Sequence, residues 1–132
     1  WAQVNLGELS GWTSLTYLAP QVGGSFPDVS WLACFGNEPF WSMDVVVGGA
    51  ARFVTPGADT LTFQAGSIEQ ANGRRGLFGL TAVSGAGQAT MVLRQQACSD
   101  GSSDRSYGLD AVIVLRGERN ATLSGCCSIA PK

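Results

Sequence analysis

The sequence predicts an all-β domain, a small antiparallel barrel or sandwich of about seven or eight short strands, bonded by disulfides. Three observations predict it. Apolar and polar residues alternate in several short runs, as in strands with one buried face. Glycine-rich turns separate those runs, and the chain holds 18 glycines. No segment of about 11 or more residues carries the helical period. At 132 residues the chain is one domain's worth and long enough to bury a real core.

Residues 1–32 read as an N-terminal arm or opening hairpin packed on the core, and 33–132 as the β-domain. The first part is poor in charge and holds Trp1, Trp12, Trp31, Leu15, Tyr17 and Leu18 without a clean period. Gly23 to Asp28 reads as a turn. Cys34 to Trp41 reads as a loop turning at Gly36-Asn37, with Phe40 and Trp41 dropping into the core. Trp41, Met43, Val45 and Val47 then alternate with Ser42, Asp44 and Val46 as a strand that Gly48-Gly49 ends. Arg52 to Thr55 is a short strand stopped by Pro56-Gly57, and Leu61 with Phe63 marks the next.

Ile68 to Arg75 reads as a turn or one helical turn. Leu77 to Val83 is a strand in which Gly79 suggests a bulge. Thr90 to Gln96 alternates Met91, Leu93 and Gln95 against Thr90, Val92 and Arg94. Leu109, Ala111, Ile113 and Leu115 alternate with Asp110, Val112, Val114 and Arg116. Gly117 to Asn120 is a hairpin turn, and Ala121 to Cys127 the return strand.

Composition excludes much chemistry. The chain has no histidine, and its only lysine is Lys132. A Ser-His-Asp triad, a Cys-His pair, a histidine-ligated zinc and an internal Schiff-base lysine are therefore ruled out. Net charge is −2 and the only adjacent basic pair is Arg74-Arg75, so no nucleic-acid footprint exists. No apolar run approaches the roughly 18 residues a spanning helix needs. The chain begins at Trp1 rather than Met, which suggests either a removed leader or a trimmed sequence; membrane association is expected only through a lost lipid anchor.

Cys34, Cys98, Cys126 and Cys127 admit three pairings. Adjacent strand residues face opposite ways, so a bond between Cys126 and Cys127 is disfavoured. Cys34 and Cys98 are expected to bond one each to the doublet. With no CxxC spacing and no histidine, disulfides are preferred over a metal, which implies an oxidising compartment. No metal and no cofactor are expected.

Two constellations are candidate sites. The first is Glu38 with Trp41, in Gly36-Asn37-Glu38-Pro39-Phe40-Trp41. The second runs from Cys98 to Arg105 and packs Asp100, Ser102, Asp104 and Arg105 around Gly101, with Tyr107 just beyond. Asp100 and Asp104 offer too few oxygens for a calcium loop. As paired carboxylates they are a glycosidase alternative. The structural reading is preferred: Asp100 caps its own turn, and Arg105 forks onto Asp104, Asp100 or Glu38. The aromatics Trp1, Trp12, Trp31, Trp41, Phe35, Phe40 and Tyr107 read first as core, with an exposed partner or glycan patch as the alternative. Asn120-Ala121-Thr122 matches a glycosylation sequon, relevant only in a eukaryotic secretory host.

At these motifs the chain resembles a family of uncharacterised bacterial envelope, lipoprotein-like proteins with a GxEPFW segment, a CSDGxSDR segment followed by Tyr, and GC or GCC near the end. Here these are Gly36 to Trp41, Cys98 to Arg105 with Tyr107, and Gly125-Cys126-Cys127. The resemblance covers about residues 33–127 and implies a secreted, periplasmic, outer-membrane or cell-surface protein without an assigned activity. A looser similarity is to HslJ-like domains and periplasmic lysozyme inhibitors, which are small β-barrels. The expectation is a binding or structural module, not an enzyme, whose partner is a protein or other envelope component. Alternatives are an inhibitor of a wall-active enzyme such as lysozyme and a carboxylate-based hydrolase.

Overall fold

The computed structural model is all-β, as the alternation predicts. It describes residues 26–27, 29–85, 87–99, 101 and 106–129, and the backbone of 2–6 and 9–13. None of the described residues is helical. A hairpin of β1 (Ala2–Leu6) and β2 (Leu9–Thr13) comes first. The barrel strands are β3 (Trp31–Asn37), β4 (Phe40–Val46), β5 (Ala50–Val54), β6 (Leu61–Ala65), β8 (Leu77–Ser84), β9 (Gly87–Ser99), β10 (Ser106–Gly117) and β11 (Ala121–Ser128). Between them sits β7 (Glu69–Gln70), a two-residue strand beside β8.

All pairings are antiparallel, in the order β6-β5-β4-β3-β11-β10-β9-β8-β7. Gln64↔Val83 and Ala65↔Ala82 join β6 to β8, which closes eight strands into a barrel with β7 as an extra. Closure removes the open edges that invite pairing with other chains.

The interior follows from strand alternation. Trp41, Met43 and Val45 point inward from β4, and Ala111, Ile113 and Leu115 from β10; all are at most 3% exposed. Leu32, Phe53, Phe63, Leu80, Met91 and Leu93 complete the same apolar cluster. No described polar or charged residue is buried. Side chains fill the interior of this eight-stranded barrel, so its rims and outer face are what it presents to solvent.

Several local expectations need correction. Gly36-Asn37 belongs to β3, and the turn lies at Glu38-Pro39, whose peptide bond is cis. Phe40 therefore points outward and is 64% exposed, while Trp41 is buried. Of the turn and the helical turn expected over 68–75, the turn is the one present, preceded by β7. Gly79 pairs regularly with Val92, so it makes no bulge. The bulge lies between Tyr107 and Leu109, where β10 shifts against β9. Gln95 is exposed rather than inward. Both β9 and β10 outrun the predicted short strands, at 13 and 12 residues.

Candidate functional site

The two sequence constellations meet where the barrel's seam lies. The seam between β3 and β11 is only three residue pairs long: Phe35↔Cys126, Cys34↔Cys127 and Ala33↔Ser128. Cys34 and Cys127 face inward and are disulfide-bonded across the ladder, with Cα atoms 4.0 Å apart. Cys126 faces the other way and bonds Cys98 of β9. The expected pairing of Cys34 and Cys98 with the doublet is thus the one present. Both bonds are compatible with an extracytoplasmic location.

The second bond carries geometric information. In sheet order β10 lies between β9 and β11. Strands two places apart are ordinarily about 9–10 Å apart. The Cα atoms of Cys98 and Cys126 are 5.7 Å apart. Beyond the Tyr107/Leu109 bulge, the end of β9 and the start of β10 therefore fold over the outer face of β11 as a flap. Tyr107 confirms the direction: its ring meets Phe35 of β3 edge-on, with centroids 5.0 Å apart. Cys126 is outward-facing yet 1% exposed because this flap covers it.

Below the three-pair ladder the seam is closed by a side chain. Trp41 reaches across from β4 and its Nε1–H donates to the Ser124 carbonyl oxygen at 3.2 Å. Gly36 and Gly125 make room: a Cβ on Gly36 would stand 2.2 Å from Trp41 Nε1, and one on Gly125 would stand 1.9 Å from Phe35 O. Trp41 in turn stacks on Phe53. Arg119 covers that ring at 5.8 Å and donates to Thr55 Oγ1 and to the Asp59 carbonyl oxygen, so the β10–β11 turn plugs this end of the barrel.

Two hollows flank the Glu38-Pro39 turn. One, of about 530 Å³, lies between Phe35, Glu38, Phe40, Ser99, Gly101 and Cys126. It brings the β3–β4 turn against the end of β9, and so joins the two constellations on one surface. The other, of about 680 Å³, is walled by Asn37, Glu38, Pro39, Phe40, Thr55 and Pro56. Phe40 and Glu38 border both. A third hollow, of about 550 Å³, lies between Phe26, Gln96, Tyr107, Leu109 and Ile129 under the flap.

Of the predicted site residues, Glu38, Trp41 and Tyr107 therefore surround one stretch of seam, in three different roles. Glu38 is exposed on the turn, Trp41 is a buried closure and Tyr107 packs the flap. Asp100, Ser102, Asp104 and Arg105 lie outside the described residues, although their neighbours Ser99 and Gly101 wall the first hollow. Phe40 is the residue misplaced by sequence reasoning. The alternation that sends Trp41 inward already places Phe40 outside.

Elsewhere, Arg74 and Arg75 are exposed on a turn, as expected of a solvated pair. Asn120 is exposed, and its side-chain amide exchanges hydrogen bonds with the Gly117 backbone. Arg94 and Asp110 pair across β9 and β10 at 2.9 Å. The described residues hold no group of three or more potential metal ligands. Comparison of the chain with protein-family models, curated proteins and solved structures finds no match.

Proposed function

We propose that this protein is a binding module of the bacterial envelope, working in the periplasm, on the outer membrane or at the cell surface, and that it acts by holding a partner rather than by turnover. The carrying observation is Phe40. It is a large aromatic at 64% exposure on the rim of a barrel whose interior is filled, with a hollow on either side. Exposed aromatics beside open pockets are what protein partners anchor on. The two disulfides fit an oxidising compartment, and the shared GxEPFW and CSDGxSDR segments support placement with the envelope family that carries them. The absence of histidine from the sequence favours binding over catalysis.

Site-specific photo-crosslinking in the bacterium that makes the protein tests this reading. A benzoylphenylalanine at position 40 is expected to trap a discrete envelope adduct. One at Val83, which is 50% exposed elsewhere on the barrel, is expected to trap none. Identical patterns from both positions, or none from either, reject it.

A second reading is an inhibitor of a wall-active enzyme such as lysozyme. Its support is that Ser99 and Gly101 wall a hollow and continue in the sequence into the polar residues Ser102 and Asp104. Undiminished muramidase activity at micromolar protein rejects it.

A further inference from the structure

We infer that the rim around Glu38 and Phe40 takes a basic segment of a partner protein, seating a lysine or arginine between the Glu38 carboxylate and the Phe40 ring. The inference rests on the binding-module reading and adds the partner's chemistry to it.

Charge carries it. Glu38 is the only charged residue among the described residues that wall the two hollows. Its carboxylate makes no ion pair or hydrogen bond among the described residues. A basic group does come near the turn at Arg119, but that guanidinium is committed to Thr55 Oγ1, the Asp59 carbonyl oxygen and the face of Phe53. The one formal charge among these described wall residues is therefore negative, and the complementary surface is cationic.

The aromatic supplies the second half. Apart from Phe40, the exposed large hydrophobics of the described residues are Val46, Val54, Val83 and Val92. Only Phe40 offers a π-face, and a cation over such a face gains about 0.5–1 kcal/mol at an exposed site. Glu38 and Phe40 are two residues apart across Pro39, on one turn. A cation between them meets a carboxylate and a ring together, while its alkyl stem covers Pro39 or Pro56.

The test is an NMR titration of the ¹⁵N-labelled chain with three synthetic hexapeptide amides, in which leucine alternates with lysine, serine or glutamate. The Leu-Lys peptide is expected to shift amides of residues 36–42, 54–57 and 124–126, and to bind more weakly as salt rises. Glu38→Gln is expected to weaken it about threefold. Phe40→Ser is expected to weaken it about tenfold. Both positions are exposed, and unchanged thermal denaturation of each variant shows that the fold is intact. Equal or tighter rim binding of the Leu-Ser or Leu-Glu peptide overturns the cationic inference while the docking surface stands. Absence of rim shifts with all three overturns both.

Discussion

Trp41, on β4, hydrogen-bonds across β3 to the Ser124 carbonyl oxygen on β11. The contact stands where a ladder bond between β3 and β11 would otherwise stand. Those strands pair over only three residues, and the seam they form joins the beginning of the barrel to its end. An indole can take over because it carries one N–H at the tip of a large apolar body, so the same side chain fills the core and satisfies a backbone carbonyl. The backbone has to make way, and it does so at Gly36 and Gly125.

Trp41→Phe keeps most of the buried volume and loses the donor. It is expected to cost about 1 kcal/mol, the value of one hydrogen bond. Trp41→Ala removes the ring as well and is expected to cost about 3–5 kcal/mol. Urea denaturation of both variants decides it. A Trp41→Phe protein as stable as the parent means that the Ser124 contact contributes nothing.

Gly125→Ala places a methyl 1.9 Å from Phe35 O and 3.0 Å from Trp41 Cζ2, so β3 and β11 have to part. A loss of about 3 kcal/mol or more is expected, or no folded protein at all. Gly108→Ala, at the bulge between Tyr107 and Leu109, meets nothing within 4 Å and is expected to change stability by less than about 0.5 kcal/mol. Equal losses at both positions refute this account of the seam.

The two disulfides differ in depth. Cys34 and Cys127 are 0% and 1% exposed inside the barrel, whereas Cys98 stands half-buried at the flap. A mild thiol reductant is expected to open Cys98–Cys126 first, because thiolate attack requires access to a sulfur. Loop entropy ranks their contributions the same way. Sequence separations of 93 and 28 residues correspond to about 4.6 and about 3.6 kcal/mol. Mass spectrometry after timed alkylation reads the order of reduction, and simultaneous opening of both bonds contradicts it.

The legible parts of this fold are those where a side chain reports its own face. Met43 and Val45 keep phase with Trp41 across Ser42 and Asp44, Ile113 and Leu115 keep phase with Ala111 between Asp110 and Arg116, and all four are inside. Cys126 and Cys127 are adjacent and bond on opposite faces, as strand geometry requires. The seam was hidden for the converse reason. The acceptor of Trp41 is a backbone carbonyl, which has no residue type, and the glycines that admit the ring read as turn formers. Reading Gly36-Asn37 as the turn misplaced the reversal and sent Phe40 inward. The flap depends on a bulge at Gly108, which alternation alone does not separate from the candidate at Gly79. Glu38 stands exposed on its turn, and the hollows beside it come from Thr55-Pro56 and Ser99-Gly101, which are distant in sequence.

Arg119 joins the β10–β11 turn to the segment between β5 and β6, through Thr55 Oγ1 and the Asp59 carbonyl oxygen, while its guanidinium lies over Phe53. These contacts need a flat fork that donates in two directions while its face stays on the ring. Arg119→Ala is expected to cost about 1–2 kcal/mol, reduced from the buried value because the side chain is only half-buried. In thermal denaturation this is a fall of roughly 3–8 °C. Arg119→Lys retains the charge but has a single ammonium, which cannot reach both oxygens and still face Phe53, so it is expected to recover less than half of the loss. Full recovery by lysine means that charge, rather than the geometry of the fork, holds this end of the barrel shut.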